Sequence, residues 1–538
     1  MTNKKNILFI MTDQLRWDYL SCYGHPHLQT PHIDALAARG VRFDRAYCNA
    51  PICGPSRACF YTGRSMFSNG QYWNSFPNRA SESTIGDYLR PHGYRSAVVG
   101  KLHARPDTEE MERLGIDPDS EVGSRLAHGG FEPFERDDGI NPDFLVFNAG
   151  KAEKYNSYLR EQGYETPNPW QQNANSSVDQ DGTIQNGFYM QHNDKPANIA
   201  EEHSETPYMT TRAMECIEAM GDTPWCIHLS YIKPHWPYMA PAPYHEMYNE
   251  SHFLPRVASQ VELENPHPVY QAFMDNRGSK NFVRDEVRHT VMKGYMGLVK
   301  QIDDQIGRLI RWLDDKGLTD QTMIVFTSDH GDYLGDHWLS EKDIFHEPSV
   351  RIPMIVVDPS AEANGTRGTV CDKFVEGIDL APTFLELAGG KAIPHKLEGR
   401  SLIPLLHGQQ DVVWRDHTVI ETGYAGRQAR QSLGLAPSDC RGYMVRNERW
   451  KYILWDGGFR PQLFDMINDP NEFVDLGESA EYEDVRRDMH EKIFLWMRKR
   501  QMGTISDEDA ARVTGPHNED QIGVYIGYWS EDEGPFLD

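Results

Sequence analysis

The sequence predicts an α/β protein: a doubly wound, mostly parallel sheet flanked by helices, followed by a smaller C-terminal domain of antiparallel sheet plus helix. Three observations carry this. Short apolar runs, too short for helices, alternate with amphipathic helical stretches through residues 1–410. Asp13, Lys101, His235 and the pair Asp329-His330 each fall just beyond one of those runs, where α/β sheets bind their ligands. After Arg400-Ser401-Leu402 the pattern changes to short strand-like segments joined by turns.

Residues 6–12 read as a buried parallel strand ending in Asp13-Gln14. A helix follows over 30–40, with Pro31 at its start, Ile33 and Leu36 on its apolar face and Gly40 as its stop. The next helix opens at Cys53, with Pro55 in its first turn and Gly63 at its end. A helix over 83–93 leads to a strand over 94–99, which ends in Gly100-Lys101-Leu102-His103. Residues 105–205 are rich in Asn, Gln, Asp, Gly and Pro without sustained periodicity, and read as an irregular lid or insertion that shapes substrate access.

Order returns with a helix over 208–220 and a strand over 225–231, which ends in Lys233-Pro234-His235-Trp236-Pro237. The longest helix spans 291–316, with Met296, Val299, Ile302, Ile306, Leu309 and Leu313 on one face and Gly317 as its stop. Strands over 322–327 and 352–357 and a helix over 379–388 complete the large domain. Residues 411–500 form the small α+β domain. Its strands fall at 417–421, 442–445, 450–454 and 462–465, and its closing helix over 482–499 turns Val485, Met489, Ile493 and Trp496 inward. Residues 501–538 form an acidic tail, with Arg512 alone against nine carboxylates. Its aromatic segment, with Tyr525, Tyr528 and Trp529, is expected to pack on a neighbouring subunit in a dimer or tetramer.

A chain of 538 residues with net charge −26 is not expected to bind nucleic acid or an anionic membrane surface. Any basic cluster is therefore informative. The first apolar run is too short for a signal-peptide core, no stretch reaches membrane-spanning length, and the eight cysteines show no disulfide spacing. The expected location is cytoplasmic.

Cys53 falls at a helix N-terminus, where backbone N–H groups favour an anion. Arg57 lies one turn on, on the same face. That arrangement suits a nucleophile facing a tetrahedral oxyanion, whereas an isolated cysteine is more often a buried thiol. Asp13, Gln14, Asp329 and His330 supply three hard oxygen ligands and one imidazole, with position 53 completing the shell. Such a set suits calcium, magnesium or manganese, and the imidazole tilts it toward manganese.

The run Cys53-Gly54-Pro55-Ser56-Arg57, carried on to Thr62-Gly63-Arg64, resembles the sulfatase signature. The likeness extends in matching order from Asn6 to Leu476, and includes the turn Asp469-Pro470-Asn471-Glu472 of the small C-terminal domain. The resemblance implies an alkaline phosphatase-like fold, one divalent metal ion (calcium or manganese), and a maturation enzyme that oxidises Cys53 to formylglycine. It also implies that the hydrated aldehyde attacks a small anionic ester. Arg57 and Lys101 are expected to neutralise charge, and His235 and Lys342 to contact the transferred group and the leaving oxygen, one of them as acid. His103 assists the second hydroxyl as the inorganic anion is expelled.

Asp13-Gln14, Asp329-His330, Pro234-His235 and Ala242-Pro243-Tyr244-His245 also resemble the phosphonate monoester hydrolase branch, in which Asn74 contacts substrate. Gly100-Lys101-Leu102-His103 is the sulfatase form. The sequence reading is therefore a sulfatase of arylsulfatase type that is promiscuous toward phosphonate monoesters or phosphodiesters. A phosphonate hydrolase, a relative whose Cys53 stays a thiol, and a binding protein on the same fold stand as its alternatives. Trp73, Trp170 and Trp236 are candidates to face an aryl or cationic leaving group.

Overall fold

A computed structural model describes residues 4–74, 77–139 and 154–500. The acidic tail and its aromatic segment lie outside the described residues.

The chain begins with β1 (Asn6–Asp13), α1 (Pro31–Arg39) and β2 (Val41–Tyr47). Next come α2 (Cys53–Thr62), α3 (Ile85–Leu89), β3 (Arg95–Gly100) and β4 (Glu132–Arg136). A small hairpin, β5 (Ser176–Val178) and β6 (Ile184–Asn186), precedes α4 (Glu205–Met220), β7 (Trp225–Pro234) and the long α5 (Asp285–Asp315). The large sheet is completed by β8 (Thr322–Ser328), β9 (Met354–Val357) and β10 (Thr369–Glu376), with α6 (Leu380–Leu387) behind it. The order across this eight-stranded sheet is β10-β2-β9-β8-β1-β7-β3-β4. β9 runs antiparallel to both of its neighbours, and the other pairs are parallel.

β1 lies between β8 and β7 and is buried on both faces, so its run from Ile7 to Met11 is apolar without interruption. Ile7, Phe9 and Met11 enter one core with Phe60 of α2 and Phe384 of α6. Leu8 and Ile10 enter the other with Ile33 of α1, Met209 of α4 and Ile302 of α5. This alternation makes a three-layer α/β/α architecture.

Three strands of the main sheet escape the sequence reading, as do β5 and β6 of the small hairpin. β2 lies inside the sheet, but Arg42, Asp44 and Arg45 break its apolar run. β10 is an edge strand with an exposed first half. β4 is the opposite edge, a short charged strand containing Pro133. β4 corrects the expectation that residues 105–205 are irregular throughout, because it pairs with β3 as part of the main sheet.

The C-terminal part forms a four-stranded antiparallel sheet in chain order. Its strands are β11 (His417–Gly423), β12 (Arg441–Asn447), β13 (Trp450–Trp455) and β14 (Gln462–Asp465). One face packs Val419, Val445 and Leu463 on Met489, Ile493 and Trp496 of α7 (Glu483–Arg498). Its other face sends Ile420, Met444 and Ile453 into the same core as Phe60 and Phe384. The two sheets thus share one continuous core. All eight cysteines are free, and no described helix is long and apolar enough to cross a membrane.

Candidate active site

The site forms where β1, β3, β7 and β8 end, at the N-terminus of α2. All ten residues of α2 are buried, and its C-cap Gly63 adopts φ 68°, the left-handed conformation that ends helices. No side chain of Ile52 caps the first turn; instead Asn74 Oδ1 accepts the Gly54 N–H at 2.8 Å. Cys53 therefore begins a helix whose first N–H groups and dipole face the strand ends.

Around the Cys53 sulfur lie Lys342 Nζ at 3.2 Å, His330 Nε2 at 3.2 Å and Asp13 Oδ1 at 3.7 Å. Lys101 Nζ sits 2.6 Å from Asp13 Oδ2. Gly100 makes this approach possible: its φ is 102°, and a Cβ there would lie 2.0 Å from the Ser230 carbonyl oxygen. Burial raises the Cys53 pKa, but Lys342, Lys101 and His330 outweigh it and hold the thiol well below its ordinary value. His330 is pushed down by burial and pulled up further by Asp329 and Cys53. Burial pushes the Asp329 carboxyl up to about 6, helped by the Asp13 charge. Asp13 itself is raised by burial and by Cys53, yet Lys101, His235 and Arg57 leave it below the usual carboxylate range.

Arg57 lies beneath this nest. Its Nε reaches Asp329 Oδ2 at 3.0 Å and its Nη2 reaches Asp13 Oδ2 at 3.1 Å. Its Nη1 donates to the Lys101 carbonyl at 3.0 Å and to Ser230 Oγ at 2.7 Å. The guanidinium is thus engaged on all sides and braces the two carboxylates from behind, away from the cavity.

Asp13, Cys53, Asp329 and His330 are all buried, and their ligand atoms lie within 4.8 Å of one another. Two carboxylates, an imidazole and the position-53 side chain so gathered fit a divalent cation. Gln14 borders this cluster, held at φ 68°. Its Nε2 donates to Asp332 at 2.5 Å, and its Oε1 accepts from Lys342 Nζ at 2.7 Å.

These side chains open into a cavity of about 570 Å³ lined by Cys53, Asn74, Lys101, His103, His235 and Lys342. A model of the family described as "Sulfatase" matches residues 5–128 and 149–390. The chain belongs to the sulfatase family. A second model, "N-sulphoglucosamine sulphohydrolase, C-terminal", matches residues 335–499. The multifunctional alkaline phosphatase superfamily protein PehA of Trinickia caryophylli is 31% identical over 525 residues, covering 92% of this chain and 95% of its own. An arylsulfatase of Clostridium perfringens is 28% identical over 506 residues, covering 91% and 94%. The structure of the phosphonate monoester hydrolase SpPMH from Silicibacter pomeroyi superposes with a TM-score of 0.79 at 27% identity, covering 94% of this chain and 97% of that one.

In this sulfatase the predicted residues come together from seven places in the chain. Burial lowers the pKa of His103, against the upward pull of the neighbouring Cys53. The backbone N–H groups of His103 and Leu102 both donate to Asp138 Oδ1 at 2.8 Å. His235 stands 3.9 Å from Asp13. Burial and the Lys342 and Lys101 charges bring its pKa down to about 4, so it is neutral near pH 7. Asn74 lines the cavity while bracing α2.

Trp73, Trp170 and Trp236 all face the cavity, together with Arg105, Gln171 and Phe188 from the insertion. Trp236 stacks on His235, with ring centroids 5.0 Å apart, and Phe188 meets its edge at 5.4 Å. Sequence reasoning missed Asp332, Asp138 and Ser230, which hold Gln14, the His103 loop and Arg57. Asp332 alone left a signal, two residues beyond Asp329-His330 on the same loop.

Proposed function

We propose that this sulfatase hydrolyses small sulfate monoesters of arylsulfatase type, using a nucleophile built from Cys53. One observation carries the reading: the Cys53 side chain opens a buried helix inside a shell of Lys342, His330, Asp13 and, through Asp13, Lys101. The sulfur stands where a formylglycine oxygen would be after oxidation by a maturation enzyme. A hydrated aldehyde there supplies a nucleophile that later expels its own product.

Asp13, Gln14, Asp329 and His330, with position 53, would hold one calcium or manganese ion, which supplies charge neutralisation on the transferred group. Arg57 fixes the two carboxylates of that set. Lys101 and Lys342 present ammonium groups on either side of position 53, where equatorial oxygens gain charge in the transition state. Neutral His235 stands at the cavity side as a hydrogen-bonding partner of the substrate, and Lys342 faces the leaving oxygen. His103 accepts the proton from the second hydroxyl.

Phosphonate monoester hydrolysis is the second reading, favoured by Gln14 and His330 in the metal set. Two measurements test the pair. Mass spectrometry of the tryptic peptide spanning residues 46–57, from protein made in its native host, must find the aldehyde; an unmodified thiol would sink the mechanism. Comparing kcat/KM for an aryl sulfate and an aryl phosphonate monoester then decides between the esters, because the ratio compares transition-state binding. A preference for phosphonate passes the assignment to that branch.

A further inference from the structure

Lys342 is carried by a loop outside the strands and helices, between Asp336 and the short helix Glu347–Val350. Its two neighbours, Glu341 and Asp343, adopt φ 56° and 92°, a region unfavourable for any residue with a Cβ. Contacts from several directions maintain this shape. The Asp343 N–H donates to the Pro51 carbonyl at 3.1 Å, two residues before Cys53. The Asp343 carbonyl accepts from Thr422 Oγ1 at 2.6 Å. Arg427 Nη2 bridges both carboxylate oxygens of Asp343, at 2.9 and 2.8 Å. On the other side, the Glu341 carbonyl accepts the Tyr333 N–H at 2.7 Å.

Thr422 belongs to β11, and Arg427 lies just beyond it, over the Trp73 ring at 4.9 Å. Gly426 lets the loop pass beneath that indole, since a Cβ there would lie 3.0 Å from the ring. The contacts converge on the segment whose central side chain reaches Cys53 Sγ and Gln14 Oε1. An ammonium has three N–H donors; these two partners take two of them and leave one for substrate.

We infer that Arg427 and Asp343 are a positioning pair that sets Lys342 against the leaving-group oxygen, so the C-terminal sheet acts in catalysis without touching the nucleophile. The inference rests on the reading of Lys342 given above. When the ester bond breaks, its electron pair stays on the alcohol oxygen, which takes a proton or is neutralised by the ammonium. This help matters most for a basic leaving group. Misplacing Lys342 therefore harms a poor leaving group more than a good one, whereas general loosening of the fold harms both alike.

The experiment compares phenyl sulfate with 4-nitrophenyl sulfate in the wild type and in Arg427→Gln, Asp343→Asn and Thr422→Val, all metal-loaded identically. Phenol resembles the tyrosine side chain, with a pKa of about 10, and nitrophenol is the more acidic. In the Arg427 and Asp343 variants kcat is expected to fall about tenfold or more for phenyl sulfate and less than about threefold for the nitrophenyl ester, with KM little changed. Arg427→Lys keeps the charge without the fork, and should recover part of the loss. Thr422→Val, nearly isosteric, should show the same selectivity more weakly.

Equal losses on both esters would overturn the inference. So would a crystal structure of Asp343→Asn with Lys342 Nζ still on Gln14 Oε1 and beside the side chain at position 53. A wild type that hydrolyses neither ester would instead overturn the sulfatase reading, and the crystal structure of the variant would then decide the positioning role by itself.

Discussion

Lys101 Nζ lies 2.6 Å from Asp13 Oδ2, with both side chains buried. Asp13 also receives Arg57 Nη2 at 3.1 Å, so its charge does not depend on Lys101 alone. Removing one partner of a buried pair ordinarily costs about 3–5 kcal/mol. Lys101→Ala is expected to cost less, about 1–3 kcal/mol, because Arg57 remains. Its effect on turnover should be larger, about 10²–10³ in kcat, the range for removing a preorganised donor to transition-state charge. Denaturant titration beside steady-state kinetics checks the contrast, and comparable losses in both would place Lys101 in the scaffold.

Arg57 predicts a different pair of losses. Its guanidinium spans Asp13 and Asp329 with separate nitrogens, a geometry that a lysine ammonium does not reproduce. Arg57→Lys keeps the charge but not the fork that serves both carboxylates, and should lose about 1–3 kcal/mol of stability, the cost of leaving a buried acceptor unpaired. Metal content should fall in parallel, because the two carboxylates are no longer fixed to one another. Elemental analysis and thermal melting read both effects; full metal occupancy in a destabilised variant would break the link.

The strand-end residues were legible in the sequence because they are attached to legible strands. β1, β7 and β8 are buried on both faces, so they are mostly apolar, with only His228 and Ser230 inside the run of β7, and the polar residues beyond them stand out. β2, β4 and β10 were illegible because each mixes charged residues into a short or partly exposed strand. Cys53 and Arg57 could be read from a local motif and its spacing, and Lys101, His103, His235 and Lys342 from the family resemblance that the motif carries. Their supports could not: Asp138, Asp332 and Arg427 act by holding other residues from loops far away in sequence, and neither periodicity nor spacing marks such a partner.

The four buried ligand atoms of Asp13, Cys53, Asp329 and His330 crowd within 4.8 Å, and two of the groups are carboxylates. A divalent cation that binds only the folded state stabilises it by linkage, by about 2.7 kcal/mol at a concentration a hundredfold above Kd. Protein stripped with a chelator should therefore melt lower, and calcium or manganese should raise the midpoint in a concentration-dependent way. Asp329→Asn should blunt the response. An unchanged melting temperature on adding either ion would argue against a site at this cluster.

Glu421 gives a pH-dependent prediction away from that cluster. Its Oε2 accepts the Phe67 N–H at 2.9 Å, and its Oε1 is buried without a hydrogen-bond partner among the described residues. Burial, aided by the nearby Glu398 charge, pushes its carboxyl from an ordinary 4.5 up to about 8, against the pull of the Phe67 N–H. Between these values the folded protein keeps a proton that the unfolded chain has released, so this group lowers stability progressively as pH rises through that window. Below the lower value both states are protonated and the cost vanishes; above the upper value the cost is constant. Glu421→Gln mimics the neutral form and carries no titrating proton. Its stability relative to wild type should rise between pH 5 and pH 8 by more than about 1.4 kcal/mol, the worth of one pKa unit. Urea denaturation at the two pH values measures the gap, and a gap that stays constant would mean that Glu421 is ionised in the folded protein throughout.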